Sequence, residues 1–467
     1  MFDDYIQTAG PIFEAVLESN LFDDGKIFVD SIPKKAPEEI LQEFKILSKT
    51  PSFDLKRFIH KNFILPPNIE CAYDAETNMA VYIDKTWDLL RRDMSKRQAH
   101  STLIPLPKPQ IVPGGRFREC FYWDSYFTAL GLPIEYIKDT AINMGYLIDL
   151  FGFVPNGNRT YFETRSQPPF FSFLLILLCE NNEELFAKQF VEQLKKEYQY
   201  WMSCSGFLSQ YLDTKNGPRP EAYKKEKELA RQIKRTDLFY SLRSACASGW
   251  DFSSRWLKDF KHFETIEILD ILPVDLNAYI YHLEKTLYRF TKEKMYLKKA
   301  EKRAYIIQTI FWKDDFFYDV YKSSQSPKLH KTLAGIAPLF VKAASQKQAS
   351  ICANIIEKHF LKPGGFVTTL VSSSHQWDSP NGWAPLQWMT VIGLMNYGYS
   401  DLALRGAKNW LFLNEDIFKK HHTLFEKYNV IDCSTDVAKG EYAPQYGFGW
   451  TNGVAKALMK LIETKGY

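Results

Sequence analysis

The clearest pattern in the sequence is the recurrence of apolar residues at every third or fourth position. Phe186, Phe190, Leu194 and Tyr198 follow one another at intervals of four, which places them on one face of a helix. The segment 273–290 shows the same spacing, with apolar residues at Leu276, Tyr279, Ile280, Leu283, Leu287 and Phe290. Both segments are therefore predicted to form amphipathic helices.

Helical patterns continue through most of the chain from about residue 80. Further helices are predicted at 80–97, 122–131, 138–151, 168–180, 220–234, 253–260, 292–312, 331–343, 345–360, 383–397, 399–411, 414–427 and 450–463. Many are separated by short turns, which favours antiparallel helix pairs packed side by side. Alternating strand patterns are few and short, as near 364–371. The sequence therefore predicts an all-α fold.

The loops between these helices are rich in glycine, proline, asparagine and tryptophan. They span 113–124, 152–169, 216–221, 248–255, 374–388 and 440–453. Such loops, gathered at one end of a helical scaffold, are a natural platform for a functional site. Residues 1–75 carry weaker patterns and several prolines, so we expect an irregular N-terminal wrap. Because no low-complexity linker interrupts the chain, a single domain over 1–467 is predicted.

Composition and charge narrow the class of protein. The 467 residues are 45% hydrophobic and 24% charged, which is typical of a globular chain with a sizeable core. The net charge is only +4, without a long block of one sign, so no nucleic-acid partner is expected. No uncharged apolar run reaches about 18 residues, so no membrane partner is expected either.

The cysteines and the first residues bear on the compartment. The seven cysteines are scattered and form no CxxC pair, which is typical of a reducing compartment and argues against a disulfide framework or a zinc site. The start of the chain is acidic and lacks the basic and apolar regions of a secretory signal. These two features predict a cytoplasmic protein.

Carboxylates stand out in the loops, beside tryptophans and arginines. The set comprises Glu119, Asp124, Glu163, Glu221, Asp251, Asp378, Glu426 and Glu441. The HExxH, GxxxxGK[ST] and GxSxG motifs are absent from the sequence. Glycoside hydrolysis needs two carboxyl groups that flank the scissile bond, together with polar groups and aromatic faces that hold the sugar. The loops therefore indicate carboxylate chemistry on a carbohydrate.

Spacing alone does not select the acid and the base. Asp251 follows Trp250 and has apolar neighbours suited to a protonated acid, but it is equally well placed to cap a following helix. Asp378 precedes Ser-Pro, which favours a role in a turn. Glu426 lies at a predicted helix end, and its local sequence alone is typical of an ordinary surface glutamate.

Two long segments resemble a known family. PGGRFRECFYWDSYF at 113–127 and QWDSPNGWAP at 376–385 are similar to the two signatures of the trehalases of glycoside hydrolase family 37. Other segments resemble that family in the same order: FDDGKIFVDSIPK at 22–34, PNGNRTYFETRSQPP at 155–169, RPE at 219–221, ASGWDFSSRW at 247–256, PVDLN at 273–277, EKYNV at 426–430 and GEYAPQYGFGWTNGV at 440–454. The resemblance covers nearly the whole chain.

The resemblance implies a fold and a reaction. The expected fold is a single (α/α)6 barrel, a helical toroid with the active-site loops at one end. The expected reaction is the inverting hydrolysis of α,α-trehalose to two glucose molecules, without a metal or organic cofactor. The resemblance makes Asp251 the general acid and Glu426 the general base, with carboxyl groups about 6.5–9.5 Å apart to leave room for water. Trehalose is the expected partner, and a cytoplasmic-type monomer is expected.

The resemblance also implies a set of substrate-binding residues. They are Arg116, Trp123, Asp124, Asn156, Arg165, Ser166, Gln167, Arg219, Pro220, Glu221, Gly249 and Glu441. Three arginines in a site for a neutral sugar need an explanation. We hypothesise that they bond hydroxyls, keep nearby carboxylates ionised and bias which acid stays protonated.

Some positions depart from the family's pattern. Tyr446 stands where many relatives carry an acidic residue, Glu163-Thr164 is often less acidic, and 431–439 lacks a glycine run seen in some members. These departures concern the water network and the pH optimum rather than the reaction class. Two alternatives stay open: another inverting α-glucosidase or phosphorylase on the same fold, and a sugar-binding protein that has lost catalysis.

Overall fold

The computed structural model describes residues 5–67, 78–437, 440 and 442–464. The α-helices are α1 (Tyr5–Thr8), α2 (Gly10–Glu18), α3 (Lys26–Val29), α4 (Pro37–Leu47), α5 (Leu55–Asn62), α6 (Met79–Leu90), α7 (Tyr122–Ala129), α8 (Ile134–Phe151), α9 (Phe171–Glu180), α10 (Glu184–Ala187), α11 (Val191–Ser205), α12 (Tyr223–Gln232), α13 (Leu238–Ala247), α14 (Val274–Thr291), α15 (Lys294–Thr309), α16 (Ala337–Phe340), α17 (Gln346–Ile355), α18 (Ala384–Met395), α19 (Ser400–His421) and α20 (Gly449–Thr464).

Short antiparallel strand pairs and single helical turns connect these helices. The pairs are β1 (Ile32–Pro33) with β2 (Phe63–Ile64), β3 (Arg91–Arg92) with β4 (Gln110–Ile111), β5 (Ile271–Leu272) with β8 (Val320–Tyr321), β6 (Trp312–Lys313) with β7 (Phe316–Phe317), β9 (Leu361–Lys362) with β10 (Gly365–Phe366), and β11 (Asn381–Trp383) with β12 (Lys427–Asn429). Turns of 3-10 helix lie at Thr160–Phe162, Lys188–Phe190, Pro220–Ala222, Ser254–Trp256, Phe263–Thr265, Ile268–Asp270 and Leu333–Ile336, and a π-helical turn lies at Ile356–Phe360.

Six helices of the described chain form a closed ring. Along the ring, α7 contacts α9, α9 contacts α14, α14 contacts α16, α16 contacts α18, α18 contacts α20, and α20 contacts α7. A second set, namely α6, α8, α11, α15, α17 and α19, alternates with the ring helices along the sequence. This alternation of inner and outer helices is that of an (α/α)6 barrel, and it confirms the predicted all-α fold.

The residue pattern explains which helices are inner. All eight residues of α7 are buried, and α9 reads FSFLLILLCE, so neither has a polar face for solvent. The outer helix α19 is instead amphipathic, with a buried stripe that includes Leu402, Trp410, Leu413 and Ile417. A helix that is apolar all round is stable only when it is surrounded by other elements.

The ring also explains where the glycine-rich loops lie. The loops predicted at 113–124, 152–169, 374–388 and 440–453 lead into the N-terminal ends of α7, α9, α18 and α20. An outer helix returns the chain between successive inner helices, so these N-terminal ends face the same end of the barrel. The loops are therefore gathered there.

The helix prediction differs from the structure in two places. The segments 399–411 and 414–427 are not two helices, because α19 runs unbroken to His421, and the chain leaves the helix at His422 with a φ of 54°. The segment 253–260 forms only one 3-10 turn, Ser254–Trp256. There the Arg255 guanidinium is buried between Asp275 and Asp319 at 2.8 Å from each, and these ion pairs outweigh local helix propensity.

The N-terminal segment is more regular than predicted. It contains α1 to α5, in which prolines begin helices rather than interrupt them, as Pro37 does for α4. Its apolar residues, such as Phe28 and Phe63, form a cluster with Phe121 and Phe162 from the site loops. The described part of the segment is therefore more regular than expected, while the assignment of a single domain stays a prediction.

Buried charges fasten this segment to the barrel. The Lys26 ammonium lies 2.8 Å from Glu119, and the Arg159 guanidinium lies 2.7 Å from the other oxygen of that carboxylate. Burial alone would raise the pKa of Glu119, but Lys26 and Arg159 outweigh it and lower the pKa to about 2. Glu119 is thus an ion-pair partner for Lys26 and Arg159, and it is not among the residues that line the cavity described below.

Hydropathy adds one observation on membranes. None of the helices within the described ranges is both long and apolar enough to cross a lipid bilayer.

One buried carboxyl group lies between an inner and an outer helix, and no salt bridge to it is found within the described ranges. Glu197 on α11 is fully buried and accepts a hydrogen bond from the Tyr122 hydroxyl on α7. Among the described residues, its second oxygen has no hydrogen-bond partner. Burial raises the pKa of Glu197 to about 8, although the bond from Tyr122 opposes this rise. We infer that this side chain is protonated in the native protein near neutral pH.

The stability of the fold should therefore fall as pH rises. Between the ordinary pKa of 4.5 and about 8, the native state holds a proton that the unfolded state has lost. In this range the free energy of unfolding should fall by up to about 1.4 kcal/mol for each pH unit. Glu197→Gln, which mimics the protonated form, should match the wild type at about pH 5 and exceed its free energy of unfolding at about pH 8, as measured by urea denaturation.

Glu284 provides a matched control for this experiment. It is equally buried but lies 2.9 Å from the Arg303 guanidinium. Glu284→Gln leaves that cation unpaired, so it should lower the free energy of unfolding at both pH values. A wild-type pH dependence in Glu197→Gln would show that Glu197 is not protonated in the native state.

Candidate active site

A cavity of about 580 Å³ opens among the loops at the N-terminal ends of the inner helices. Most of the residues predicted for catalysis and substrate binding line it: Arg116, Trp123, Asp124, Asn156, Arg165, Gln167, Arg219, Glu221, Gly249, Asp251 and Glu426. The structure thus brings together residues from segments that are far apart in the sequence.

Two of the predicted residues that the structure describes, Ser166 and Pro220, are not among the residues that line the cavity. Ser166 is buried and donates its hydroxyl to the Val154 carbonyl at 2.7 Å, so it holds the loop rather than facing the cavity. Pro220 lies beside a separate, smaller cavity that Lys215 and Arg243 also line. Glu441 lies outside the described residues.

Asp251 reaches the cavity from a loop that a glycine makes possible. Gly249 has a φ of 75°, and a Cβ atom there would lie 2.7 Å from the Trp123 ring. Any other residue at this position would displace the cavity wall. The alternative reading of Asp251 as a helix cap is wrong, because Ser253 caps the short turn by accepting a hydrogen bond from the Arg255 backbone.

The loop after Asp251 is fixed by a second buried aspartate. Asp378 accepts hydrogen bonds from the Ser253 hydroxyl at 2.9 Å and from the Ser254 backbone at 2.9 Å. It also accepts hydroxyl bonds from Thr369 and Ser373. The interpretation of Asp378 as structural is supported, and the structure it maintains is the loop that carries Asp251.

Glu426 is a buried residue, not the surface glutamate that its local sequence suggests. It directly precedes β12 and is 1% exposed. Its carboxylate accepts a hydrogen bond from the Tyr442 hydroxyl at 2.8 Å and lies 3.0 Å from the Lys427 ammonium. These two contacts hold the carboxylate in a fixed position in the cavity wall.

Asp124 is a fully buried carboxyl group in the cavity wall with a raised pKa. Burial raises its pKa well above the ordinary value, and the carboxylates of Glu426 and Asp251 raise it further, against a backbone hydrogen bond that lowers it. These surroundings favour the protonated form of Asp124. In that form its hydroxyl can donate a hydrogen bond to a sugar oxygen.

The three predicted arginines all pair with carboxylates. Their partners are Asp24 for Arg116 at 2.7 Å, Asp213 and Glu221 for Arg165 at 3.2 and 3.4 Å, and Glu226 for Arg219 at 2.5 Å. Burial alone would raise the pKa of Asp24 and of Asp213, but these arginines and other nearby groups lower both. The pairs support the hypothesis that the arginines keep nearby carboxylates ionised.

Some cavity residues were not predicted. Asp24 and its neighbours from the N-terminal segment form one side of the wall, and Tyr442 and Gln445 form another. The Gln445 side chain accepts a hydrogen bond from the Arg116 backbone at 2.8 Å. FDDGKIFVD and GEYAPQY carry these residues, and both segments resembled the family, but nothing in their spacing indicated contact with the cavity.

Tyr446 lies beside Phe425, near the surface of the protein. It is 44% exposed, its ring packs edge-on against Phe425, and its backbone pairs with the same residue. The departure at this position therefore lies beside the residue that precedes Glu426, and Tyr446 is not among the residues that line the cavity.

Comparison with known proteins identifies the family. A family model described as "Trehalase" matches residues 20–463. The chain belongs to the trehalase family. "Periplasmic trehalase" of Salmonella agona (strain SL483) is 39% identical over 488 residues, which cover 97% of this chain and 86% of that protein. "Periplasmic trehalase" of Citrobacter koseri is 39% identical over 490 residues, with the same coverage.

Solved structures support the fold. Neutral trehalase Nth1 from Saccharomyces cerevisiae aligns with a TM-score of 0.64 at 24% identity, covering 75% of this chain and 73% of that chain. A GH63 mannosylglycerate hydrolase from Thermus thermophilus, in complex with Tris and D-glycerate, aligns with a TM-score of 0.54 at 14% identity. That alignment covers 82% of this chain and all of the other.

The prediction of a cytoplasmic location is wrong for this member of the trehalase family. The relatives at 39% identity are named periplasmic trehalases. The cysteines misled the prediction: those within the described residues are free and buried or half-buried. Buried thiols act as small apolar side chains, so their spacing does not report the redox state of a compartment.

Asparagine substitutions should distinguish the roles of Asp124 and Asp251 in the cavity. Asp124→Asn keeps the neutral charge and the hydrogen-bond donor of a protonated carboxyl group, so kcat should stay within about tenfold of the wild type. Asp251→Asn, the same change on its neighbour, should lower kcat by about 10²–10⁴-fold if Asp251 is the proton donor. Initial rates of glucose release measure both. Equal losses would contradict the assignment of a protonated, non-catalytic Asp124.

Proposed function

We propose that the chain is an inverting α,α-trehalase, with Asp251 as the general acid and Glu426 as the general base. The observation that carries the proposal is that both carboxyl groups, from loops far apart in the sequence, line one cavity. Membership of the trehalase family supplies the substrate and the reaction. Trehalases hydrolyse trehalose to two glucose molecules.

The surroundings of the two groups suit these roles. Glu426 has the Lys427 ammonium and the Tyr442 hydroxyl as partners, so it is prepared to accept a proton from water. Asp251 follows the buried Trp250 and shares the cavity with Asp124, and apolar or charge-crowded settings favour a protonated carboxyl group.

The reaction then follows a single displacement. Asp251 donates its proton to the oxygen that bridges the two sugars as the bond from that oxygen to C1 breaks. Glu426 takes a proton from a water molecule, whose oxygen forms the new bond to C1 from the opposite face. The attacked glucose is released as the β anomer, and the departing glucose keeps its α configuration.

The cavity suits a disaccharide. Its volume of about 580 Å³ lies within the range of small-molecule sites. Guanidinium groups of Arg116, Arg165 and Arg219 stand in the wall, and each offers N–H groups that match sugar oxygens. We expect trehalose to be held by these groups without a metal or organic cofactor. A monomer is also expected.

Early product analysis tests the proposal. In the first minutes of trehalose hydrolysis, proton NMR should detect α- and β-glucose in equal amounts, before mutarotation mixes them. Two α anomers would contradict inversion. Binding of trehalose without glucose release would favour the alternative of a sugar-binding protein that has lost catalysis.

Substitution of the two carboxyl groups tests their roles. Asp251→Asn and Glu426→Gln should each lower kcat by at least about 10²-fold without loss of the cooperative unfolding transition. Glu426→Gln keeps the size of the side chain, so loss of activity reports the missing base. Substantial turnover by either variant would move the assignment to another residue.

A further inference from the structure

Gln376, the first residue of QWDSPNGWAP, touches the loops of both proposed catalytic residues. It is 1% exposed and is absent from the cavity wall. Its Nε2 atom donates a hydrogen bond to the Asp251 carbonyl, and its Oε1 atom accepts one from the Lys427 ammonium at 2.8 Å. One amide group therefore joins the main chain at the acid to the lysine beside the base.

Lys427 extends this connection to the base. Its ammonium lies 2.8 Å from Gln376 and 3.0 Å from the Glu426 carboxylate, and its side chain is fully buried. It also lies over the Trp383 and Tyr442 rings, at 4.8 and 4.9 Å from their centroids. These contacts leave the ammonium little freedom, so a shift of Gln376 would be passed on to Glu426.

The main chain of Gln376 is as firmly held as its side chain. Its carbonyl accepts hydrogen bonds from the Asn381 amide at 2.9 Å and from the Trp383 indole at 3.0 Å. Gly440 packs directly on the side chain, since a Cβ atom there would lie 2.9 Å from the Gln376 Cβ atom. A buried amide with all these partners is a rigid spacer.

Stacked aromatic rings run beside this connection. The Trp377 ring stacks on Trp383 with centroids 3.9 Å apart and an interplanar angle of 2°. The Trp377 ring also stacks on Trp250, the residue before Asp251, at 5.3 Å and 21°. The acid's loop and the strand pair that carries the base therefore share one aromatic stack.

We infer that Gln376 is a positioning residue that fixes the two catalytic carboxyl groups relative to each other, through the Asp251 main chain on one side and Lys427 on the other. This inference rests on the proposed roles of Asp251 and Glu426. Inversion needs a defined gap between the carboxyl groups, wide enough for one water molecule. Displacements of about 1 Å in such a site cost on the order of 10²-fold in rate.

Removal of the amide should lower turnover more than it lowers substrate binding. Gln376→Met keeps the length of the side chain but loses both hydrogen bonds. We expect kcat for trehalose to fall by about 10- to 100-fold, with KM within about threefold of the wild type. Gln376→Asn keeps an amide that is too short to span both partners, and kcat should fall in this variant too.

Gln387 is the matched control. It is fully buried on α18, donates to the Phe366 carbonyl at 2.7 Å and accepts from the Phe366 backbone at 2.7 Å. Gln387→Met therefore removes the same two kinds of bond from an equally buried glutamine, whose two hydrogen bonds both go to Phe366. Its melting temperature should fall as in Gln376→Met, while its kcat stays near that of the wild type.

A double-mutant cycle tests whether Gln376 and Lys427 act together. Because both residues belong to one connection, Gln376→Met with Lys427→Met should lose about as much in kcat as the more damaging single change. Gln376→Met with Gln387→Met should instead show additive losses. Additivity in the first pair would show that Gln376 does not act through Lys427, which would overturn the inference.

The outcomes separate this inference from the proposed function. If Asp251→Asn and Glu426→Gln abolish turnover but Gln376→Met retains the kcat of Gln387→Met, the positioning role is wrong and the proposed function stands. If Asp251→Asn or Glu426→Gln stays active, the proposed function itself fails. If Gln376→Met does not fold, Gln376→Asn replaces it in the comparison. A kcat equal to that of Gln387→Met would then show that the positioning role is wrong.

Discussion

The need to pair the buried charges of the cavity wall constrains the rest of this structure. An unpaired buried charge costs several kcal/mol, so each such group requires a nearby cation or hydrogen-bond donor. The wall meets this need with ion pairs, for example Arg116 with Asp24, Arg165 with Asp213 and Lys427 with Glu426. Asp124 is the contrasting case, because burial, and to a lesser extent the carboxylates of Glu426 and Asp251, raises its pKa. The same wall thus favours the ionised form of some carboxyl groups and the protonated form of another.

These pairs also explain why the N-terminal segment belongs to the site. Asp24 provides the partner for Arg116, and Lys26 provides one for Glu119. Both residues sit on a segment that packs its own apolar cluster against Phe121 and Phe162. The barrel alone would leave Arg116 and Glu119 short of these partners, so the segment completes the electrostatics of the cavity as well as its wall.

The barrel could be predicted from the sequence because its signal is local. Apolar spacing found most inner and outer helices, and glycine-rich loops marked the functional end. Errors arose where distant residues decide local structure, as where Asp275 and Asp319 hold Arg255 in a turn instead of a helix. Local sequence was equally insufficient to identify the residues of the site. Glu426 read as a surface residue because no neighbour in the sequence shows that it is buried, and only the resemblance to trehalases singled it out.

The long QWDSPNGWAP segment illustrates what such a motif is for. Three successive residues make three different sets of contacts: Gln376 connects the Asp251 main chain to Lys427, Trp377 stacks between Trp250 and Trp383, and Asp378 holds the turn after Asp251. Gln376 and Asp378 do not line the cavity. A catalytic carboxyl group needs only one residue, but holding it at a set distance from another requires many contacts. The demand for geometry, rather than for chemistry, accounts for the length and the uncommon composition of the motif.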